Sequence, residues 1–354
     1  MHWSKGKLIL EDGSCYNGFS FGYFQTTSGE VVFNTGMVGY PESLTDPSYR
    51  GQILVFTYPL IGNYGVPIRK KENEITKDFE SDRIHLAGLV VAEYSFHYSH
   101  SQARQSLSEW LIKEKIPALF GVDTRALTKK LRKYGVMLGK IVFANEEIEF
   151  EDPNKRMLAA EVSTKRPITY GRGKKKVIVI DLGVKNNILR SLLKRGVKVV
   201  RVPFDYNLEK ESFDGLLISN GPGDPQKYQR VILNIRKAFR RNKPIFGICL
   251  GNQLLALAAG AKTYKLKFGH RSQNQPCFLV DSKRCFITSQ NHGYAVDDQT
   301  LPSQWQTWFY NLNDRTNEGI RHKNKPWMSV QFHPEATPGP TDTAFLFDDF
   351  IKLL

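Results

Sequence analysis

The sequence predicts an α/β protein in which a C-terminal domain with a doubly wound, mostly parallel sheet follows a smaller, β-rich α/β domain. Three observations lead to this prediction. Strands and turns are closely spaced in the first 60 residues, strands alternate with helices after residue 176, and a charged, weakly periodic stretch lies between these regions. At 354 residues the chain is long enough for two cores. We place the domains at residues 1–150 and 176–354, joined by a linker over 151–175.

Strand patterns dominate the N-terminal domain. A turn at Glu11–Ser14 separates strands over 7–10 and 15–18, as in a hairpin. Ser106 followed by Glu109 is a capping box and predicts a helix to about residue 115. Apolar residues at helical spacing predict a second helix over 123–134, ended by Gly135. Further strands are expected at 29–34, 52–57, 85–91 and 137–143, with a polar loop over 44–50.

Strands and helices alternate in the C-terminal domain, which implies a parallel sheet. The expected strands are 177–181, 197–202 and 215–219, the helices are 185–195 and 226–240, and one short helix is expected around 154–162. After residue 263 short strands predominate, and 341–354 form a closing helix. Ligands of such sheets bind at the carboxyl ends of the strands, so the loops at those ends are the candidate site.

One of these loops carries a cysteine. An apolar run ends in Gly247-Ile248-Cys249-Leu250-Gly251, and a helical pattern follows at once. The spacing matches the nucleophile elbow G-x-S-x-G, with Cys in place of Ser. Glycines flank the apex because a Cβ would clash where strand and helix approach each other. The helix N-terminus favours a thiolate at Cys249, and the N–H of Leu250 is positioned to bind an oxyanion.

A cysteine nucleophile needs a base and a group that orients the base. Among the eight histidines, His333 is the best candidate, because a β-like run ends in His333-Pro334-Glu335. His333 would take the thiol proton, and Glu335 would fix its tautomer and favour the imidazolium. Alone, such a cysteine is usually a core residue, such a histidine a loop residue, and the loop 220–225 a tight turn. Their common location at one edge of the predicted sheet favours a catalytic site.

Together these motifs resemble the class I, triad-type glutamine amidotransferases. The resemblance is carried by residues 247–253, 219–225 and 333–335. It implies hydrolysis of the glutamine side-chain amide through a γ-glutamyl thioester on Cys249, with release of ammonia. It assigns His333 as general base and acid and Glu335 as its partner. The N–H groups of Leu250 and Gly223 would form the oxyanion hole.

Further segments are similar to the carbamoyl-phosphate synthase small chains, so the resemblance spans nearly the whole chain. These segments are 29–40, 44–49 and 121–128 in the N-terminal domain, and 268–270, 289–294 and 334–340 in the C-terminal domain. Other class I amidotransferases do not carry this N-terminal domain. The residues that the resemblance assigns to glutamine binding are Ser48, Gly221, Gly223, Leu250, Gln253, Asn291, Gly293 and Tyr294.

The resemblance implies a subunit that hydrolyses L-glutamine and delivers ammonia to a separate large synthetase subunit, in a heterodimer or a higher oligomer. That subunit would make carbamoyl phosphate from bicarbonate and ATP for arginine and pyrimidine synthesis. Because this chain has no P-loop or ATP-grasp-sized domain, we expect ATP and Mg on the large subunit and no cofactor or metal here. Two alternatives stay open: an amidotransferase subunit for another acceptor, as in anthranilate, GMP or CTP synthesis, and a non-catalytic regulatory subunit.

The chain departs from the pattern of these families at three places. Asn252 stands where His is common, Arg271–Gln275 differs from a frequent His-Gly-Gly-Asn-His, and Tyr294 replaces a frequent Phe. None of these changes removes a member of the triad. His270 and His292 flank predicted pocket residues, and either support the pocket or have a structural role.

Composition excludes several functional classes. The net charge of +15 is dispersed, with no interleaved aromatic platform, which argues against nucleic-acid binding. The four cysteines lack C-x-x-C spacing, which favours a reducing compartment. No apolar run is long enough to cross a membrane, and the N-terminal residues lack a signal pattern. We therefore expect a cytoplasmic protein, or a plastid stromal protein if the gene is read in that organelle.

Overall fold

A computed structural model describes residues 3–72, 74–144, 146–209 and 211–354 of the chain. The chain divides into two compact units. The first comprises the residues up to Lys70 together with Thr76–Arg156, and the second comprises Lys71–Ile75 together with Met157–Leu354. The change of unit after Arg156 falls inside the segment 151–175. Part of that segment, Ile168–Tyr170, is a strand at the edge of the C-terminal sheet.

The N-terminal unit is built around a closed barrel. The elements along this part of the chain are β1 Lys5–Leu10, β2 Cys15–Ser20, β3 Thr27–Asn34, α1 Tyr40–Thr45, β4 Gln52–Phe56, β5 Leu60–Ile61, β6 Val66–Pro67, β7 Lys71–Glu72, β8 Ile75–Thr76, β9 Gly88–Val90, β10 Glu93–Tyr94, β11 Ala103–Gln105, α2 Leu107–Lys113, β12 Ala118–Phe120, α3 Thr124–Tyr134 and β13 Met137–Phe143. The barrel order is β1-β13-β3-β4-β9-β12-β2. Its core includes Leu54, Leu89 and Trp110.

Local sequence signals explain the helices of this unit. The capping box at Ser106 is confirmed, because the Ser106 hydroxyl accepts from the N–H of Glu109 and the Glu109 carboxylate accepts from the N–H of Ser106. Asp123 caps α3, and Gly135 ends it. The polar loop predicted over 44–50 is wrong: it contains the end of α1 and a 3-10 turn, Pro47–Tyr49, and most of it is buried. The Asp46 carboxylate caps this turn by accepting from the N–H of Ser48, which allows polar residues to be buried here.

The C-terminal unit contains a ten-stranded sheet. Its elements are α4 Leu158–Val162, β14 Ile168–Tyr170, β15 Lys176–Asp181, α5 Asn186–Leu193, β16 Lys198–Pro203, β17 Gly215–Ile218, α6 Gln229–Phe239, β18 Ile245–Ile248, α7 Leu250–Ala259, β19 Lys262–Leu279, β20 Cys285–Asp297, β21 Trp305–Asn311, β22 Asn317–His322, β23 Trp327–Val330 and α8 Phe345–Lys352. The sheet order is β14-β16-β15-β17-β18-β23-β22-β21-β19-β20. Strands β16, β15, β17, β18 and β23 are parallel, and antiparallel strands flank them.

The parallel strands bury both faces, as a doubly wound sheet requires. Ile178 and Ile180 of β15 pack in a core with residues of α6 and α7, such as Ile235. Val177 and Val179 of the same strand pack in a second core with residues of α5 and α8. The predicted fold class is therefore confirmed for this unit. Of the strands after residue 263, β21, β22 and β23 are short as predicted, with 7, 6 and 4 residues, but β19 and β20 are long, with 18 and 13 residues.

Candidate active site

The turn between β18 and α7 places Cys249 at the carboxyl edge of the sheet. Cys249 is buried, and its φ of 55° and ψ of −105° are strained for a residue that is not glycine. Its N–H donates to the Val330 carbonyl of the adjacent strand at 2.8 Å, which anchors the turn. The flanking glycines are needed for space. A Cβ on Gly251 would lie 2.1 Å from the carbonyl oxygen of Ile218, and one on Gly247 would lie 2.6 Å from that of Gly251.

His333 and Glu335 follow β23, the strand beside β18. His333 Nδ1 lies 2.6 Å from Glu335 Oε1, and both side chains are buried. The His333 N–H donates to the Ser289 carbonyl at 2.9 Å, which ties this loop to β20. Because Glu335 accepts at Nδ1, the other ring nitrogen, Nε2, is the one left for proton transfer. Nε2 has no hydrogen-bond partner among the described residues.

The electrostatics of the pair favour a charged His333. Burial disfavours the imidazolium, but the Glu335 carboxylate overcomes this and raises the pKa of His333 to about 10. Burial also disfavours the carboxylate, yet Lys185 and His333 lower the pKa of Glu335 to about 2. The Cys249 thiol contributes to the raised pKa of His333, while the hydrogen bond of Sγ itself is to the Asn291 carbonyl at 3.6 Å. The thiol of Cys249 therefore lies near both the Asn291 carbonyl and the His333 imidazole, and it can give its proton to His333.

Lys185 is a residue of this site that the sequence analysis missed. Its Nζ lies 3.0 Å from Glu335 Oε1 and donates to the Ala336 carbonyl at 2.6 Å. The side chain is only 3% exposed, so the ion pair with Glu335 is shielded from water. The position of Lys185 gave one signal: it follows β15 and precedes α5, at the same sheet edge as Cys249.

The two predicted oxyanion donors are positioned by different loops. Leu250 is the first residue of α7, and Gly223, with a φ of 90°, lies in the loop after β17. Neither N–H donates to an acceptor among the residues that the structure describes. Gly221 in the same loop has no room for a side chain, because a Cβ would lie 2.3 Å from the Leu182 carbonyl oxygen. Free N–H groups beside a nucleophile are what an oxyanion hole requires.

The remaining predicted glutamine-binding residues of this unit lie on α7 and β20. Gln253 Nε2 donates to the Tyr294 carbonyl at 2.9 Å and to Gln331 Oε1 at 3.1 Å. The Asn291 carbonyl accepts from the Cys249 thiol, and Gly293 lies between Asn291 and Tyr294 on β20. Ser48 belongs to the N-terminal unit, where it is buried in the turn Pro47–Tyr49. Its assignment to glutamine binding stays a prediction.

A second buried cluster lies on the antiparallel strands, where His270, His292 and Glu318 come together. Burial lowers the pKa of His292 well below its usual range. Burial disfavours a charged His270 as well, but the carboxylates of Asp314 and Glu318 raise its pKa to about 9. These residues could hold a metal ion. Sequence spacing could not reveal the cluster, because its members come from β19, β20 and β22.

Comparison with known proteins identifies the family. Residues 178–353 match the family "Glutamine amidotransferase class-I". Residues 8–141 match "Carbamoyl-phosphate synthase small chain, CPSase domain". The chain belongs to the carbamoyl-phosphate synthase small-chain family. It is accordingly a glutamine amidotransferase domain of the carbamoyl-phosphate synthase type.

Several curated relatives share about half of their aligned residues with this chain. The chain is 52% identical to multifunctional protein pyr-3 of Neurospora crassa, covering 98% of this chain and 21% of that protein. It is 54% identical to multifunctional protein CAD of Squalus acanthias, and the match covers 98% of this chain and 16% of that protein. It is 51% identical to "Carbamoyl-phosphate synthase [ammonia], mitochondrial" of Homo sapiens, and the match covers 98% of this chain and 23% of that protein. The chain thus spans about a fifth of the length of these relatives.

The departures from the small-chain pattern have partners in the structure. Asn252 is buried, where its Nδ2 donates to Gln331 at 3.3 Å and its Oδ1 accepts from Ser329 at 2.8 Å. The Arg271 guanidinium donates to the Phe268 carbonyl, and Gln275 donates to the Ser272 hydroxyl at 2.8 Å. These residues therefore stabilise local structure.

No helix among the described residues is both long and apolar enough to span a membrane.

Proposed function

We propose that this chain hydrolyses L-glutamine and supplies ammonia for carbamoyl-phosphate synthesis. The observation that carries the proposal is the arrangement of Cys249, His333 and Glu335 after the ends of adjacent parallel strands, with His333 and Glu335 paired. A thiol, a base and a buried carboxylate that orients the base are the groups that amide hydrolysis through a thioester needs. No part of the proposal depends on a metal in this chain.

The first half of the reaction cleaves the amide. Cys249 gives its proton to His333, and the thiolate attacks the side-chain carbonyl carbon of glutamine. The negative charge that forms on the carbonyl oxygen is stabilised by the N–H groups of Leu250 and Gly223. His333 then protonates the amide nitrogen, ammonia leaves, and a γ-glutamyl thioester remains on Cys249.

The second half releases glutamate. His333, now neutral, takes a proton from water, and the resulting hydroxide attacks the thioester carbonyl at the same oxyanion site. When the intermediate collapses, the Cys249 sulfur leaves and regains a proton from His333. Glu335, whose pKa is lowered by Lys185 and His333, remains charged throughout and stabilises each imidazolium that forms.

The proposal includes a synthetase partner. Ammonia from Cys249 would pass to a synthetase that makes carbamoyl phosphate from bicarbonate and ATP, with ATP and Mg bound there. The N-terminal small-chain domain and the much longer relatives support such a partner. The partner can be a separate large subunit or the remainder of a longer chain, and its product would serve arginine or pyrimidine synthesis. Co-purification of tagged protein from its source organism distinguishes the two arrangements by the mass of the synthetase-bearing species.

The decisive experiment replaces Cys249 with Ser in the assembled synthetase. We expect glutamine-dependent carbamoyl-phosphate formation to be abolished, because a serine hydroxyl is a far weaker nucleophile than a thiolate. Synthesis from added ammonium should persist at the wild-type rate. Cys285→Ser is the matched control, since Cys285 is an exposed free cysteine away from the triad, and it should leave both activities intact. Glutamine use that survives Cys249→Ser would refute the proposal.

A second candidate is a chain that does not hydrolyse glutamine and serves a synthetase fed with free ammonia. One relative is named for ammonia, which motivates this candidate. The presence of Cys249, His333 and Glu335 favours the glutaminase. A glutamine analogue with a chloroketone in place of the amide separates the two. A covalent adduct on Cys249, found by mass spectrometry, supports hydrolysis, and its absence supports the ammonia-fed candidate.

A further inference from the structure

Three buried side chains from three strands converge at His270, His292 and Glu318. His270 Nδ1 lies 3.3 Å from Glu318 Oε1, and His292 Nε2 lies 3.9 Å from the same oxygen. The two imidazole rings are nearly perpendicular, with centroids 4.9 Å apart. Ligand atoms that share a tetrahedral zinc ion at about 2.1 Å are roughly 3.4 Å from one another. All three ligand atoms lie within 4.8 Å of one another, so their spacing approaches that of a zinc site.

The outer nitrogens of both histidines are held as in metal sites. His270 Nε2 lies 2.8 Å from Asp314 Oδ2, and His292 Nδ1 lies 2.8 Å from the Tyr294 carbonyl oxygen. Histidines that bind a metal usually donate their other N–H to a carboxylate or a backbone carbonyl, which fixes the ring orientation. The other nitrogen of each ring, Nδ1 in His270 and Nε2 in His292, therefore faces Glu318.

Independent of this geometry, two atoms of the cluster lack suitable partners. Glu318 is fully buried, and its second oxygen, Oε2, has no hydrogen-bond partner among the described residues. If His292 donates from Nδ1 to Tyr294, its Nε2 carries a lone pair. That lone pair faces Gln290 Oε1 at 3.0 Å and Glu318 Oε1 at 3.9 Å, which are both oxygen atoms. A cation between these atoms would satisfy them all.

The charges around the cluster leave room for a dication. The carboxylates of Glu318 and Asp314 bring two negative charges to the cluster. A bound dication would replace the proton of the His270 imidazolium, which leaves the Arg271 guanidinium, close to Gly269 and Gly293, as the neighbouring positive charge. Two imidazole nitrogens and one carboxylate are ligands that Zn²⁺ prefers, and they leave one of four positions open. Gln290 Oε1 or a water molecule can fill that position.

We propose that His270, His292 and Glu318 bind one Zn²⁺ ion per chain. The site is distinct from Cys249 and its partners, and its existence does not depend on the function proposed above. It has a direct connection to the pocket, because the Tyr294 carbonyl accepts from both His292 and Gln253. Bound zinc would fix the His292 ring and, through this carbonyl, the β20 segment that carries Asn291, Gly293 and Tyr294.

Zinc titration of the metal-free 354-residue chain tests the proposal. The titrations use a Cys249→Ser background, because the Cys249 thiolate with His333 is itself a potential zinc ligand pair. We expect one Zn²⁺ per chain by calorimetry, a higher melting temperature with zinc, and Co²⁺ absorption bands of a tetrahedral site with nitrogen and oxygen ligands. Glu318→Gln should weaken zinc binding by at least about 100-fold. His97→Gln, an exposed histidine outside the cluster, is the matched control and should bind zinc normally.

Two results would overturn the proposal. One is the absence of stoichiometric zinc uptake, as expected if a His270 imidazolium is itself the cation between Asp314 and Glu318. The other is unchanged affinity in Glu318→Gln. If that variant fails to fold, Asp314→Asn decides. The Asp314 side chain is 42% exposed, and it contacts the cluster through the outer nitrogen of His270, while its other oxygen accepts from Thr316. A folded Asp314→Asn should bind zinc about 10–100-fold more weakly, and wild-type affinity would refute the site.

Discussion

At the scale of single residues, the charge on Glu335 is the feature from which the chemistry follows. Its carboxylate lies between an ammonium and an imidazole, and all three groups are buried. His333 and Glu335 could be predicted from sequence because they are two positions apart after a strand. Lys185 could not, because 150 positions separate it from Glu335 and only the fold brings them together. A lysine at the start of a predicted helix looks like a surface residue until the topology is known.

Replacing Glu335 with Gln should lower glutamine hydrolysis by roughly 10²–10⁴-fold, since His333 loses the group that favours its imidazolium. It should also change the pH dependence of stability. The raised pKa of His333 gives stability that is complete below about pH 6.5 and is lost as the pH rises through about 10. Urea unfolding of Glu335→Gln should show a smaller loss over this range. Glu149→Gln, an exposed carboxylate, should retain the wild-type pH profile; an identical profile for both variants would contradict the assignment.

At the scale of elements, local chemistry predicted the helices well and the long strands poorly. Caps at Ser106, Asp123 and Gly135 set the limits of α2 and α3, and such signals act within a few residues. Strand β19 has irregular register against β20 between Lys265 and His270 and again between Ser272 and Gln275. These irregularities break the alternation of apolar and polar residues, so one long strand looked like several short ones.

The two ends of α7 provide an element-scale prediction. Gly251→Ala should destabilise the protein by about 1–3 kcal/mol and abolish glutamine hydrolysis, because its Cβ would meet the Ile218 carbonyl and displace the Cys249 turn. Gly260→Ala at the other end has space, with its nearest atom 3.8 Å away, but keeps a φ of 107°. It should cost about 1 kcal/mol for that conformation and leave hydrolysis intact. Chemical denaturation and glutaminase assays on both variants test this contrast, and equal effects would count against it.

At the scale of the whole molecule, the sequence predicted two parts but not how the first part closes. The barrel joins β1 to β13, for example by pairing Leu8 with Ile141. Pairing between strands so far apart in sequence leaves no local signal. In the second part, the parallel pairing of the strands follows from the alternation of strands and helices, which local patterns do reveal. The edge strand at Ile168–Tyr170 was missed because it is short and lies in a charged segment.

Because each unit has its own core, we expect two unfolding transitions rather than one. Leu54→Ala in the N-terminal core and Ile235→Ala in the C-terminal core should each lower the free energy of unfolding of one transition by about 2–5 kcal/mol. Each variant should leave the other transition in place. Calorimetry and urea denaturation of the pair provide the measurement. A single transition that both variants shift equally would mean that the units unfold as one.

The burial of Cys249 has a practical consequence for chemical labelling. Of the four free cysteines, Cys15 and Cys285 are exposed, whereas Cys249 and Cys277 are buried. Bulky fluorescent maleimides should therefore attach to the two exposed thiols and leave the triad untouched, which allows dyes to be placed on a working protein. A small electrophile shaped like glutamine should show the reverse preference. The same chain can thus be tagged at its surface and titrated at its centre with two reagents of different size.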